Sequence, residues 1–135
     1  MTMTLRIAAI GCGLVAIAAV PAAGQGTELA MLDQLQKGNW EIRLRGSDEG
    51  MQKVCLADGR GLIQLRHRNS NCEKQIVSDG AREVAVQYTC RGQGYGLTRI
   101  RKETDKLVQI DSQGVANGQP FNFSAEARRV GDCAG

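Results

Sequence analysis

The chain has one histidine, five aromatic residues and very little excess charge, and each shortage excludes something. The single histidine, His67, leaves little room for catalytic chemistry built on imidazole. Hydrolytic nucleophiles need a base, and no Gly-x-Ser-x-Gly elbow accompanies it. The five aromatics are Trp40, Tyr88, Tyr95, Phe121 and Phe123. None is interleaved with basic residues, so there is no stacking platform for single-stranded nucleic acid. The formal net charge is +3, too near balance for bulk charge to select an acidic partner. No two cysteines stand at the spacing of about two to four residues that structural zinc sites use. No Cys-x-x-Cys motif offers a redox pair with a lowered thiol pKa. Gly92-Gln93-Gly94-Tyr95-Gly96 resembles a phosphate loop only superficially. It sits between strands with no helix N-terminus behind it, so it is expected to be a turn, and no cofactor or metal is implied.

What is present begins with an export signal. Met1 to Arg6 ends in a positive charge, Ile7 to Val20 is apolar or small throughout, and Pro21 breaks the run. Ala22-Ala23-Gly24 then supplies small residues for a peptidase. That order is the order of a secretory leader, with cleavage expected after Gly24. An uncleaved anchor would need a stronger apolar run of about 20 residues. A lipoprotein reading of Ala9-Ile10-Gly11-Cys12 fails because Cys12 follows Arg6 too closely. The expectation is therefore a leader over residues 1–24 and one domain over 25–135. That domain would be periplasmic or secreted, with no transmembrane span after cleavage.

Without Cys12 the mature chain has Cys55, Cys72, Cys90 and Cys133. An even count beyond an export signal is the pattern of a disulfide framework. Cys72 and Cys90 flank Asp79-Gly80 almost symmetrically, so a hairpin would set them opposite one another. Cys72–Cys90 is the preferred local bridge, which leaves Cys55–Cys133. A chain with so few large side chains has a thin core and benefits from such staples.

Thr27 to Lys37 is expected to be a short helix, capped by Thr27 and ended at Gly38, with Leu29, Met31, Leu32 and Leu35 as its apolar stripe. Trp40, Ile42 and Leu44 alternate with Glu41, Arg43 and Arg45, the period of a half-buried strand. Ser47 to Gly50 is a turn, and Lys53 to Leu56 a strand. Asp58 to Arg68 is ambiguous between a loop and helical turns. Strands follow over Lys74–Ser78, Glu83–Cys90, Leu97–Lys102, Leu107–Asp111 and Phe121–Val130. Asn117-Gly118 is the strongest turn signal. Turns about every eight to twelve residues argue a mainly β fold. The expected architecture is a curved antiparallel meander sheet of about six or seven strands, with a short N-terminal helix and two disulfides. The helix and the Leu62–Leu65 segment are the available covers for its apolar face.

These landmarks resemble a known family. Gly38-Asn39-Trp40-Glu41 opens the domain and Cys55-Leu56 follows. Cys72 and Cys90 bracket the Gly80 hairpin, and Arg129-Val130-Gly131-Asp132-Cys133 closes the chain. In this order they resemble the exported bacterial domain of unknown function DUF3617. The Gly-rich Asp58-Gly59-Arg60-Gly61 departs from the more helical stretch that the family often shows there. The resemblance implies envelope localisation and a β-rich fold, and it brings no catalytic residues.

The densest positive patch is Arg60, Arg66, His67 and Arg68, expected on an exposed loop and able to meet an anionic surface or an envelope component. The primary functional expectation is a non-catalytic envelope module that binds or assists a partner. The alternatives are a small hydrolase-like enzyme around His67 and a carrier of a hydrophobic ligand on the concave sheet face.

Overall fold

The computed structural model describes residues 28–46 and 51–134. The expected leader, Thr27 and the expected turn at 47–50 lie outside the described residues. Seven strands form one antiparallel sheet: β1 (Gly38–Leu44), β2 (Gln52–Leu56), β3 (Cys72–Asp79), β4 (Glu83–Cys90), β5 (Gly94–Thr104), β6 (Leu107–Ala116) and β7 (Gln119–Gly131). Their order is β2-β1-β7-β6-β5-β4-β3. The run from β3 to β7 is the expected meander. β1 then pairs with β7, which leaves β2 and β3 as the outer strands.

The alternation predicted for these strands is the one that packs. Val84, Val86, Tyr88 and Cys90 turn inward from β4, and Ala125 and Ala127 from β7. Trp40 and Ile42 of β1 join them in one core cluster. Strands about 4.8 Å apart would put the outer pair of a flat seven-stranded sheet roughly 29 Å apart. Instead Val54 and Leu56 of β2 share that core cluster with Ile76 of β3, so the sheet curls strongly. Glycine permits part of this. Gly94 has φ +120, and a Cβ there would meet the carbonyl of Val115 across the β5–β6 pair. The Asn117-Gly118 turn, with φ of 51 and 78, is the left-handed pair that a tight hairpin requires.

Some boundaries differ from expectation. The N-terminal helix is a single turn, α1 (Ala30–Asp33). Leu29 precedes it at φ 59, held there because its N–H donates to Asp79 Oδ2 at 2.9 Å. The Gln36 N–H leaves the helix to bond Asp105 O at 2.9 Å. Tertiary partners thus cut short a segment whose apolar stripe is nevertheless buried. β6 runs five residues past Asp111 to Ala116, because Ser112 to Ala116 pair on both sides, with β5 and with β7. The ambiguous Asp58–Arg68 segment forms two short 3-10 turns, Gly59–Leu62 and Leu65–His67. Asp58 caps the first by accepting the Arg60 N–H at 2.7 Å. Leu62 and Ile63 are fully buried, so this segment covers the inner face.

Both disulfides form as expected. Cys72 and Cys90 stand opposite in the β3–β4 ladder with Cα atoms 4.2 Å apart. Cys55 of β2 reaches Cys133 just beyond β7.

Candidate functional site

The expected exposed basic patch is rearranged by the fold, and His67 is the correction. It is buried, not exposed, and lies under the sheet against Tyr88 and Phe121. The Gln93 carbonyl can only accept, so His67 Nε2 carries a proton and donates to it at 3.1 Å. Nδ1 meets the Tyr88 hydroxyl at 3.2 Å, and in the neutral ring it accepts that proton. Burial pushes the Tyr88 phenol up, while the Ser112 hydroxyl and the Arg66 charge pull it down. Thr98 Oγ1 donates to Ile63 O at 2.6 Å and meets Ser112 Oγ at 2.7 Å. These bonds pin the 58–70 segment to β4, β5 and β6. Replacing His67 by alanine is expected to cost about 2–4 kcal/mol, because it leaves a cavity and two polar groups without their partner. Urea denaturation would measure it. A loss under about 0.5 kcal/mol would show that the network is not structural.

The three arginines go different ways. Arg66 lies over the stacked Phe121 and Phe123 rings, 5.9 and 5.5 Å from their centroids. Arg60 turns to α1, pairs with Asp33 and donates to Glu28 O at 2.8 Å. The hydrogen bond between the Arg60 and Asp33 side chains holds the Asp33 carboxyl below its usual value and raises Arg60. Arg68 faces a groove.

The groove, of about 530 Å³, lies where the two outer strands face each other across the 58–70 segment. Val54 and Leu56 of β2 form one wall, and Cys72, Lys74 and Ile76 of β3 the other. Leu29, Ile63 and Gln64 contribute to the lining between them, with Arg60 and Arg68 as its cations from the 58–70 segment. Gln64 is fixed by two donated bonds, from Nε2 to the carbonyls of His67 and Ser70, each 2.8 Å. Its Oε1 is buried and has no hydrogen-bond partner among the described residues. Sequence reasoning missed Lys74 and Gln64. One signal was present: β3 carries only Ile76 and Val77 as large apolar residues, the composition of a strand with little to bury.

Three of the family landmarks meet at one junction, which shares Cys55 and Leu56 with the groove. Gly38 pairs with Leu56 and Asn39 with Cys55 on one side, while Asn39 pairs with Gly131 and Trp40 with Arg129 on the other. Gly38 has φ +144, and a Cβ there would strike the Gly131 carbonyl. Arg129 Nε donates to Lys37 O at 2.8 Å and Nη2 to Asp132 Oδ1 at 2.5 Å. The opening motif, the Cys-Leu and the closing motif therefore build the β2–β1–β7 junction that Cys55–Cys133 locks. They serve the fold.

Fold and groove together define a class: a small antiparallel sheet, curled but left open, and stapled by two disulfides. The sequence profile of the family described as Protein of unknown function (DUF3617) matches residues 35–133, and the chain belongs to that family. No curated protein and no solved structure matches it. Among the described residues no helix is long and apolar enough to cross a membrane.

Proposed function

We propose that the protein is a non-catalytic accessory module, exported to the bacterial envelope, that binds a partner in the groove between β2 and β3. The groove itself carries this reading. It joins apolar walls, two outer strands and the cations Lys74 and Arg68 at one place. Export is supported by the order of charge, apolar run, proline and small residues over residues 1–24, and by two disulfides, which persist in oxidising compartments. The non-catalytic part rests on His67. Both its ring nitrogens are engaged inside the fold, so neither is left to move a substrate proton. Against carriage of a ligand inside the sheet, the inner face is filled by Trp40, Tyr88, Leu62 and Ile63.

Two measurements test this. Fusing residues 1–24 to a reporter active only outside the cytoplasm should give activity, and the exported protein should begin at Gln25. A photocrosslinking amino acid placed at Arg68 should give a discrete adduct in envelope extract, whereas one at Arg101 on the outer face should not. Equal labelling from both positions, or none from Arg68, would overturn the groove as the binding site.

A further inference from the structure

We infer that the groove's partner is a protein segment with an acidic residue, bound in extended form as an added strand on β3. This rests on the groove reading above and makes its occupant specific. The first observation is backbone chemistry. Antiparallel ladders alternate between hydrogen-bonded pairs and closer pairs without mutual bonds. Cys72 and Cys90, with Cα atoms 4.2 Å apart, are of the closer kind. The N–H and C=O of Cys72 therefore point away from β4. The register is regular to Ile76, so those of Lys74 and Ile76 do the same. No backbone group outside the sheet bonds any of the three among the described residues. Their side chains line the groove, so an incoming strand would find backbone partners and groove together.

The second observation is charge. Lys74 lies on the groove side of β3, and Arg68 faces the same space. Neither is in an ion pair among the described residues. Arg60 is already held by Asp33. An inward-facing lysine on an outer strand guards against indiscriminate pairing. A strand with an apolar residue or a cation opposite Lys74 would bury an unpaired charge, and one with a carboxylate would satisfy it. The guard thus acts as a selector.

The test uses the exported protein with both disulfides formed and a fluorescein-labelled peptide, Thr-Val-Thr-Glu-Thr-Val-Thr. Its valine, glutamate and valine would face Ile76, Lys74 and Cys72. Fluorescence anisotropy should show binding that weakens about tenfold or more when the glutamate is replaced by lysine. Lys74→Glu should reverse that preference, and circular dichroism should show that this exposed substitution leaves the fold intact. N-methylation of the glutamate and valines should abolish binding, because it removes the donors aimed at β3. Equal binding of both peptides, or of the N-methylated one, would overturn the added strand. Lys74-dependent sedimentation with phosphatidylglycerol vesicles and no peptide binding would make the occupant a lipid headgroup. A concentration-dependent dimer that excludes the peptide would make it a second copy. In either case the strand partner fails while the groove reading stands; absence of an Arg68 adduct removes the groove reading itself.

Discussion

Replacing Cys55 and Cys133 together by serine is expected to destabilise the protein by about 4–5 kcal/mol, more than the loss of the other bridge. The two bridges close loops of very different length, with sequence separations of 78 and 18. Restriction of the unfolded chain grows with the logarithm of loop length, giving about 4.5 kcal/mol for the first and about 3.2 kcal/mol for the second. Domains of this size have only about 5–15 kcal/mol in total, so either loss is a large share. Position adds to the effect. β2 has five residues and pairs only with β1, and Cys55–Cys133 is its second attachment. Without it β2 should exchange its amide hydrogens first, and a wall of the groove would open with it. Urea midpoints of the two double variants decide the matter. If loss of Cys72–Cys90 proved the costlier, the entropy of the long loop would not be what holds the fold.

Trp40→Ala is the second large effect, expected at about 3–5 kcal/mol. Trp40 has no exposed surface, and its indole N–H donates to Gln36 O at 2.9 Å. The substitution therefore empties the largest side-chain volume in the core and leaves a carbonyl without its donor. It also strikes the junction where β1 holds β2 and β7 together. Trp40→Phe keeps much of the volume and should lose about 1–2 kcal/mol. This is the only tryptophan, so unfolding of the variants is followed by circular dichroism. A cost for alanine no greater than for phenylalanine would mean that the pocket collapses around the loss, and that the junction does not depend on it.

Much of the fold was legible because its signals are local. The alternation of Glu83–Cys90 predicted both the strand and its buried face. Asn117-Gly118 predicted its turn because those residue types tolerate the left-handed backbone that tight hairpins need. Cys72–Cys90 followed from the symmetry of a hairpin, and Cys55–Cys133 from what remained. The N-terminal helix was overestimated because nothing in its own sequence reveals that Asp79 and Asp105 take its end groups. The placement of the basic residues was out of reach for a similar reason. Arg66, His67 and Arg68 are neighbours in the chain, yet a 3-10 turn sends them to an aromatic pair, a buried network and the groove.

By itself, the sequence determined the strand periods, the tight hairpin turn at Asn117-Gly118 and the disulfide pairs. These depend on residues close in the chain, or on cysteines few enough to count. Tertiary structure alone decided which strands would be outermost. That choice rests on β1 pairing with β7, Trp40 against Arg129, a contact between distant segments that no local pattern encodes. Once it is made, the curl of the sheet brings β2 and β3 to face each other. Lys74 and Gln64, unremarkable along the chain, then line one groove with Arg68.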